Sequence, residues 1–329
     1  MEKRVKIGIL DDYQGVSQAL ADWSLVARKC SIESFREPID SSDLQERLER
    51  FEIISAMRER TQFPRELLKK LPNLRLLVTT GMRNSAIDLE AATDLGILVC
   101  GTRSVAHSTV ELTWALILSL LRSIPLENSE IRMGRWQTTI GQTLKGKTLG
   151  VLGLGRLGTE VARIGQAFGM SVISWSQHLN VEHAQKSGVQ AVSRETLFRD
   201  ADVLTIHLVL SERTLGLVGM NDLSQMKPSA FLVNTSRGPI VKKNALVKAL
   251  RENMIRGAGL DVFDEEPISI SDPLVNLSNT ILTPHLGYVS EDGYRVFFGD
   301  TVENILAYLD SNPLRILNED VLGKMKPKW

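Results

Sequence analysis

The sequence is short of several things, and each shortage removes a class of function. Only two cysteines, Cys30 and Cys100, occur in 329 residues. Both sit in apolar, strand-like runs without metal-ligand spacing, so they read as buried thiols of a reducing compartment and not as a disulfide framework. Neither sign of charge is in excess: Lys+Arg and Asp+Glu number 39 each. That balance offers no global basic footprint for nucleic acid and no polybasic patch for a membrane surface. Long apolar runs are missing as well. The most apolar stretch, residues 112–121, follows Glu111 and is too short to span a bilayer. Residues 1–5 lead at once into a strand and lack the apolar core of a signal peptide, so a cytoplasmic protein is expected. There is no short-period repeat, no low-complexity tract and no appended regulatory module.

What is present is length for two cores and a repeated alternation of strand and helix patterns. The strand Val5 to Leu10 is followed by a predicted helix through Val16, Leu20 and Trp23, then a strand near Cys30 to Phe35. Ser42 with Gln45 forms a candidate capping box for a helix over residues 43–51. Further strands are read at 52–57, 74–79 and 97–100, with helices at 64–71 and 89–95. Residues 105–122 form one long helix, apolar enough to require burial on most sides. The pattern then restarts, with strands near 149–152, 172–175, 189, 203–208, 230–234, 257–262 and 280–282 and helices at 181–186, 244–251 and 293–309. Such alternation argues for parallel sheets flanked by helices.

The clearest chemical signal is Gly153-Leu154-Gly155-Arg156-Leu157-Gly158, between an apolar strand and a helical pattern. The first glycine permits a tight turn, the second lets a pyrophosphate approach the backbone, and the third lets helix and strand pack closely. The helix N-terminus adds free N–H groups for phosphates. A glycine-rich connection with no ligand is the blander alternative, and the flanking strand and helix weigh against it.

In open parallel sheets ligands bind beyond the carboxyl ends of the strands, so the residues after the later strands carry most weight. Asn234-Thr235-Ser236-Arg237-Gly238 puts a permanent, fork-shaped cation at one strand end, matched to a carboxylate. An acidic run from Asp261 to Glu266 follows the next strand, and Thr283-Pro284-His285-Leu286-Gly287 follows the last. Taken singly, these are a surface arginine, a solvated loop and a structural histidine. Together they form a coherent set. A carboxylate beside an imidazole favours its protonated form, which can donate to a developing alkoxide while a cation anchors the substrate.

These motifs, in this order and over nearly the whole chain, resemble the D-isomer-specific 2-hydroxyacid dehydrogenases, with Met226-Lys227-Pro228 as a further carrier. The resemblance implies an α/β protein of two flavodoxin/Rossmann-like domains with parallel sheets. The nucleotide domain (105–286) would be inserted in a substrate domain (1–104 and 287–329), with a cleft between them. It implies NAD or NADP as cofactor, a small 2-hydroxy or 2-oxo acid as substrate, favouring phosphoglycerate or glycerate/hydroxypyruvate, and a homodimer to which the helix at 105–122 could contribute. Arg237 would hold the substrate carboxylate, His285 would be the general acid/base, and Glu266, just before Pro267, would pair with it. Around the cofactor it implies Gly153, Gly155, Arg156, Leu157, Gly158, Ser176, His207, Thr214, Thr235, Ser236, Asp261 and Gly287, and around the substrate Arg58, Met82, Arg83 and Arg237. No metal is implied.

Three positions depart from the family pattern. Ser176 stands where an acidic residue usually holds the ribose hydroxyls, which admits NADP, although no Arg follows at once. Gly81-Met82-Arg83-Asn84 replaces a Gly-x-Gly loop, and Tyr288 replaces a second glycine after the histidine. Arg58, Arg60 and Arg83, all at strand ends of the first domain, raise the expectation of a second anionic group on the substrate. A rival reading is a dinucleotide-sensing protein like the corepressors built on this fold. Formate dehydrogenase, another rival, pairs its histidine with glutamine, and Glu266 argues against it.

Overall fold

A computed structural model describes residues 4–325. Residues 1–3, on which part of the signal-peptide reading rests, and residues 326–329 lie outside that range. The chain divides into two compact units: the first runs to Val105 and resumes at Ser290, and the second is Ala106–Val289.

The first unit holds β1 (Val5–Ile9), β2 (Cys30–Ser34), β3 (Ile53–Ala56), β4 (Leu76–Thr79) and β5 (Leu98–Cys100). Their order is β2-β1-β3-β4-β5, with every pair parallel, the flavodoxin-like winding. Every residue of β3, β4 and β5 is buried, which is why these strands read as continuous apolar runs and not as alternating ones. Both cysteines lie in this sheet as free, buried thiols, and burial pushes Cys30 up to about 11 and Cys100 up to about 12.

Two local expectations fail here. The helix predicted through Val16, Leu20 and Trp23 is a series of turns, and the helix is Ser24–Lys29. The Asp12 carboxylate accepts from the Val16 and Ser17 amides and the Ser17 hydroxyl, and such side-chain bonds compete with a helical ladder. The Ser42–Gln45 capping box also does not form. Ser42 spends its hydroxyl on Asp43, and the shorter helix Leu44–Leu48 starts without a side-chain cap.

The long C-terminal helix, Glu291–Leu309, is capped by the Ser290 hydroxyl accepting from the Gly293 amide at 3.1 Å. It packs on β4 and on the helix Ser24–Lys29 of the first unit. Its buried Asp300 joins Arg103, which follows β5, to Arg315, with Oδ1 at 2.6 and 3.2 Å from the two guanidinium groups.

The second unit holds β6 (Thr148–Leu152), β7 (Ser171–Trp175), β8 (Gln190–Ala191), β9 (Val203–Ile206), β10 (Phe231–Asn234), β11 (Gly257–Leu260) and β12 (Thr280–Leu282). The order β12-β11-β10-β9-β6-β7-β8 is doubly wound, and all pairs are parallel. The strand order reverses between β6 and β9, the switch point at which such sheets bind ligands.

The apolar helix His107–Arg122 lies on β10, β11 and the helix Arg156–Ala167. Small residues of β11 make room for it: a Cβ on Gly259 would stand 3.1 Å from Leu120 and 3.2 Å from Leu116. Its apolar face is therefore packed inside the unit. The next helix, Ile124–Arg132, follows a 60° bend at Ser123 and was not predicted. It has no packed apolar stripe; Glu130 is its one buried residue. Among the described residues no single helix is long and apolar enough to cross a membrane.

Candidate active site

Cross-strand register builds the site. Trp175, Leu152, Ile206, Asn234, Leu260 and Leu282 are successive partners across six strands. The ladder runs one residue further: the amides of Gly153, His207, Asp261 and Thr283 donate to Trp175, Leu152, Asn234 and Leu260 at 2.8–3.0 Å. The motifs that are remote in sequence thus emerge along one rim of the second unit.

Gly153 leaves β6 at φ +99°, where a Cβ would stand 2.8 Å from the His207 carbonyl oxygen. A Cβ on Gly158 would come within 2.1 Å of the Gly153 oxygen, so helix and turn touch there. Gly155 differs: a Cβ on it would meet nothing within 4 Å. It is the N-cap of the twelve-residue helix Arg156–Ala167, which has no side-chain cap. The result is an open cradle with uncapped helix N–H groups, which fits a dinucleotide pyrophosphate. Arg156 is exposed and Leu157 half-buried at its mouth.

Beyond β10, buried Asn234 clamps the loop by donating to the Arg237 carbonyl oxygen at 2.9 Å and accepting from the Ser236 amide at 3.0 Å. Arg237 is half-buried, and its Nη1 donates to the Ser236 carbonyl at 2.7 Å. Two hydroxyls expected near the cofactor are engaged by the framework. Thr235 meets Thr113 at 2.8 Å, and Ser236 donates to the Ile206 carbonyl at 2.7 Å. Gly238 lies against the Phe263 backbone, since a Cβ there would stand 2.2 Å from its carbonyl carbon.

That contact continues toward the histidine. The Phe263 amide donates to Glu266 Oε1 at 2.9 Å, and Glu266 Oε2 lies 2.5 Å from His285 Nδ1. Among the described residues His285 Nε2 has no hydrogen-bond partner. The ring is therefore fixed through one nitrogen and able to exchange a proton through the other. His285 sits at φ +53°, and its turn is held by fully buried Asp261. One oxygen of that carboxylate accepts from the Thr283 hydroxyl at 2.5 Å and the Leu286 amide at 2.7 Å, and the other from the Gly287 amide at 2.9 Å. Burial pushes Asp261 above the usual carboxylate range, against the pull of these bonds and of His285. Thr109 donates to the Gly287 carbonyl at 2.7 Å, and Tyr288 packs edge-on to His285 at 5.3 Å. Glu265 and Asp264 flank the pair.

His207 is held by Thr205 Oγ1 at 2.9 Å from Nε2, while its enclosed Nδ1 has no partner among the described residues. Burial pushes its pKa down to about 4, so the ring is neutral near pH 7. Thr214 accepts from the Ser211 amide at 2.8 Å and donates to the Val209 carbonyl at 2.7 Å, closing the loop after β9. Ser176 follows β7 and is half-buried.

In the first unit, Arg58 (φ +52°) donates from its amide to Thr80 Oγ1 at 2.8 Å and from Nη1 to the Thr80 carbonyl at 3.2 Å. A Cβ on Gly81 would stand 2.0 Å from that Nη1. The glycine opening this loop thus makes room for the guanidinium. Met82 and Arg83 are exposed, and Arg83 has no ion pair or hydrogen bond among the described residues. Arg60 donates to the Asp11 carbonyl at 2.9 Å and lies over the Tyr13 ring.

Asn234 and Gly238 belong to the strand-end motif read from the sequence, which gave them no role of their own, whereas Thr109 and Thr113 were not singled out. Only the i, i+4 spacing of the two threonines on one helix hinted at a shared face.

The chain is similar to proteins of one family. The family profile for the NAD-binding domain of D-isomer-specific 2-hydroxyacid dehydrogenases matches residues 114–287. A glyoxylate reductase of Aeropyrum pernix is 39% identical over 273 residues, 80% of this chain and 82% of that one. A D-3-phosphoglycerate dehydrogenase of Methanocaldococcus jannaschii is 34% identical over 88% of this chain but 57% of its own length. The solved phosphoglycerate oxidoreductase of Vibrio cholerae superposes with a TM-score of 0.89 at 36% identity, covering 93% and 99% of the two chains. D-lactate dehydrogenase of Aquifex aeolicus, solved with NAD and lactic acid, gives 0.78 at 25% identity over 98% and 100%.

Proposed function

The chain belongs to the D-isomer-specific 2-hydroxyacid dehydrogenases and uses NAD(P), and from that premise we propose that Arg237, Glu266 and His285 carry the interconversion of a 2-oxo acid and a D-2-hydroxy acid. The observation that carries the assignment is the 2.5 Å contact between His285 Nδ1 and Glu266 Oε2, with Nε2 left without a partner among the described residues. A reduced nicotinamide, when bound, supplies hydride to C2 of the substrate. His285 gives its proton to the C2 oxygen from Nε2, and in the reverse direction it takes that proton back. Glu266 orients the ring and stabilises the imidazolium. Arg237 anchors the substrate carboxylate. Asp261 fixes the turn that presents His285.

A small 2-oxo acid of the glyoxylate or hydroxypyruvate kind is the favoured substrate, supported by the glyoxylate reductases matched over about four-fifths of each chain. A phosphorylated substrate rests on the first unit alone. Arg58 and Arg60 there are engaged with Thr80 and Asp11, and Arg83 has no partner among the described residues. Steady-state rates with NADH and NADPH against glyoxylate, hydroxypyruvate and phosphohydroxypyruvate test both points. Oxidation of neither cofactor by any of them would favour the dinucleotide-sensing reading. Equal kcat/KM for glycerate and phosphoglycerate in the reverse reaction would remove the second anionic group.

A homodimer is part of the same proposal. It is supported by a run of exposed apolar side chains in the second unit: Ile124, Leu126, Ile131, Met133, Trp136 and Ile140. Exposed apolar side chains gathered in one stretch of chain are a common mark of an association face.

A further inference from the structure

The end of β7 carries a charge arrangement that the reaction does not use. In doubly wound dinucleotide domains, an acidic residue about 20 positions beyond the first glycine accepts from the ribose hydroxyls, whereas a nearby arginine accommodates a 2′-phosphate. Here the position after β7 is Ser176, and no Asp or Glu occurs from Ser171 to Asn180. The first acid beyond them, Glu182, is already paired with Lys186 at 2.7 Å.

A cation arrives from elsewhere in the chain. The loop after β9, closed by Thr214, carries Arg213 to the end of β7, where its Nη1 donates to His178 Nε2 at 2.8 Å. The two residues are 35 positions apart, so the sequence near β7 gives no sign of it. Among the described residues Arg213 makes no ion pair with a carboxylate, its neighbour Glu212 included. A guanidinium bonded to an imidazole and not to a carboxylate is left two free faces for an anion. Its planar fork matches a phosphate, and Ser176 adds a hydroxyl without the repulsion that a carboxylate would exert.

We infer that this strand end selects a dinucleotide bearing a 2′-phosphate, with Arg213 and His178 as the anion-binding pair and Ser176 as the residue that admits it. The inference rests on the proposed seat of the dinucleotide at the glycine turn 153–158. Isothermal titration of the full chain with NADP⁺, NAD⁺, 2′,5′-ADP and 5′-AMP tests it independently of turnover. The expected result is tighter binding of NADP⁺ than NAD⁺ by about tenfold or more, and the same order for the two fragments. Arg213→Ala should shrink the ratio of the two dinucleotide affinities by about ten- to a hundredfold. Ser176→Asp, a second variant at an independent position, should reverse the preference. NAD⁺ binding as tightly as NADP⁺, or a ratio unchanged in both variants, overturns the inference. Gly155→Asp places a carboxylate in the open cradle without a clash and should weaken all four ligands. If it weakens none, the seat at the glycine turn is what fails.

Discussion

At the residue scale the proposed chemistry converges on His285. Replacing it with alanine removes the proton donor, and kcat should fall by about two to four orders of magnitude; near-full activity of His285→Ala in cofactor oxidation would contradict the role. Glu266→Gln keeps the shape but removes the charge facing Nδ1, so kcat should fall well below wild type with little change in substrate KM. His207 gives a prediction in stability. Its folded-state pKa of about 4 lies below the ordinary 6.5, so on acidification the unfolded chain takes up the proton first. Its contribution is complete above about pH 6.5 and is lost progressively down to about pH 4. Wild-type Tm should therefore fall across that window, and His207→Gln should flatten the fall; parallel curves would assign the loss to other groups. Arg237, Glu266 and His285 were legible because short motifs fix them to strand ends. Arg213 was not, because its partner lies across a loop.

Between residue and domain, strand register and loop contacts decide which side chains meet. Gly238 lies against the Phe263 backbone, Phe263 donates to Glu266, and Glu266 holds His285. Gly238→Ala must push that loop away, with an expected loss of about 1–3 kcal/mol by chemical denaturation and a lower kcat, although Gly238 touches none of the catalytic side chains in this chain of contacts. An unchanged kcat would show that the loop does not position Glu266. The strands were read correctly because fully buried parallel strands are continuous apolar runs. The helix through Val16 and the Ser42 cap failed because single carboxylates, Asp12 and Asp43, captured the hydrogen bonds on which those readings relied. The helix Ile124–Arg132 was missed because it packs almost nothing into a core.

For the whole molecule, the exposed apolar run from Ile124 to Ile140 predicts a dimer in sedimentation velocity. Replacing Trp136 and Ile140, 74% and 91% exposed, with serine and aspartate should yield a folded monomer, and a dimer that survives both changes would locate the interface elsewhere. The sequence by itself determined the family, the parallel α/β class, the glycine turn and the candidate set Arg237, Glu266 and His285. Each is a local matter of residue type, spacing and position after an apolar strand. Tertiary structure alone decided which groups touch. It set the 2.5 Å His285–Glu266 contact, committed Asp261 to the histidine's turn, buried the apolar face of the helix His107–Arg122, and brought Arg213 to His178 beside Ser176. Such pairings depend on how strands far apart in the chain align and where their loops return, and no short window of sequence carries that information.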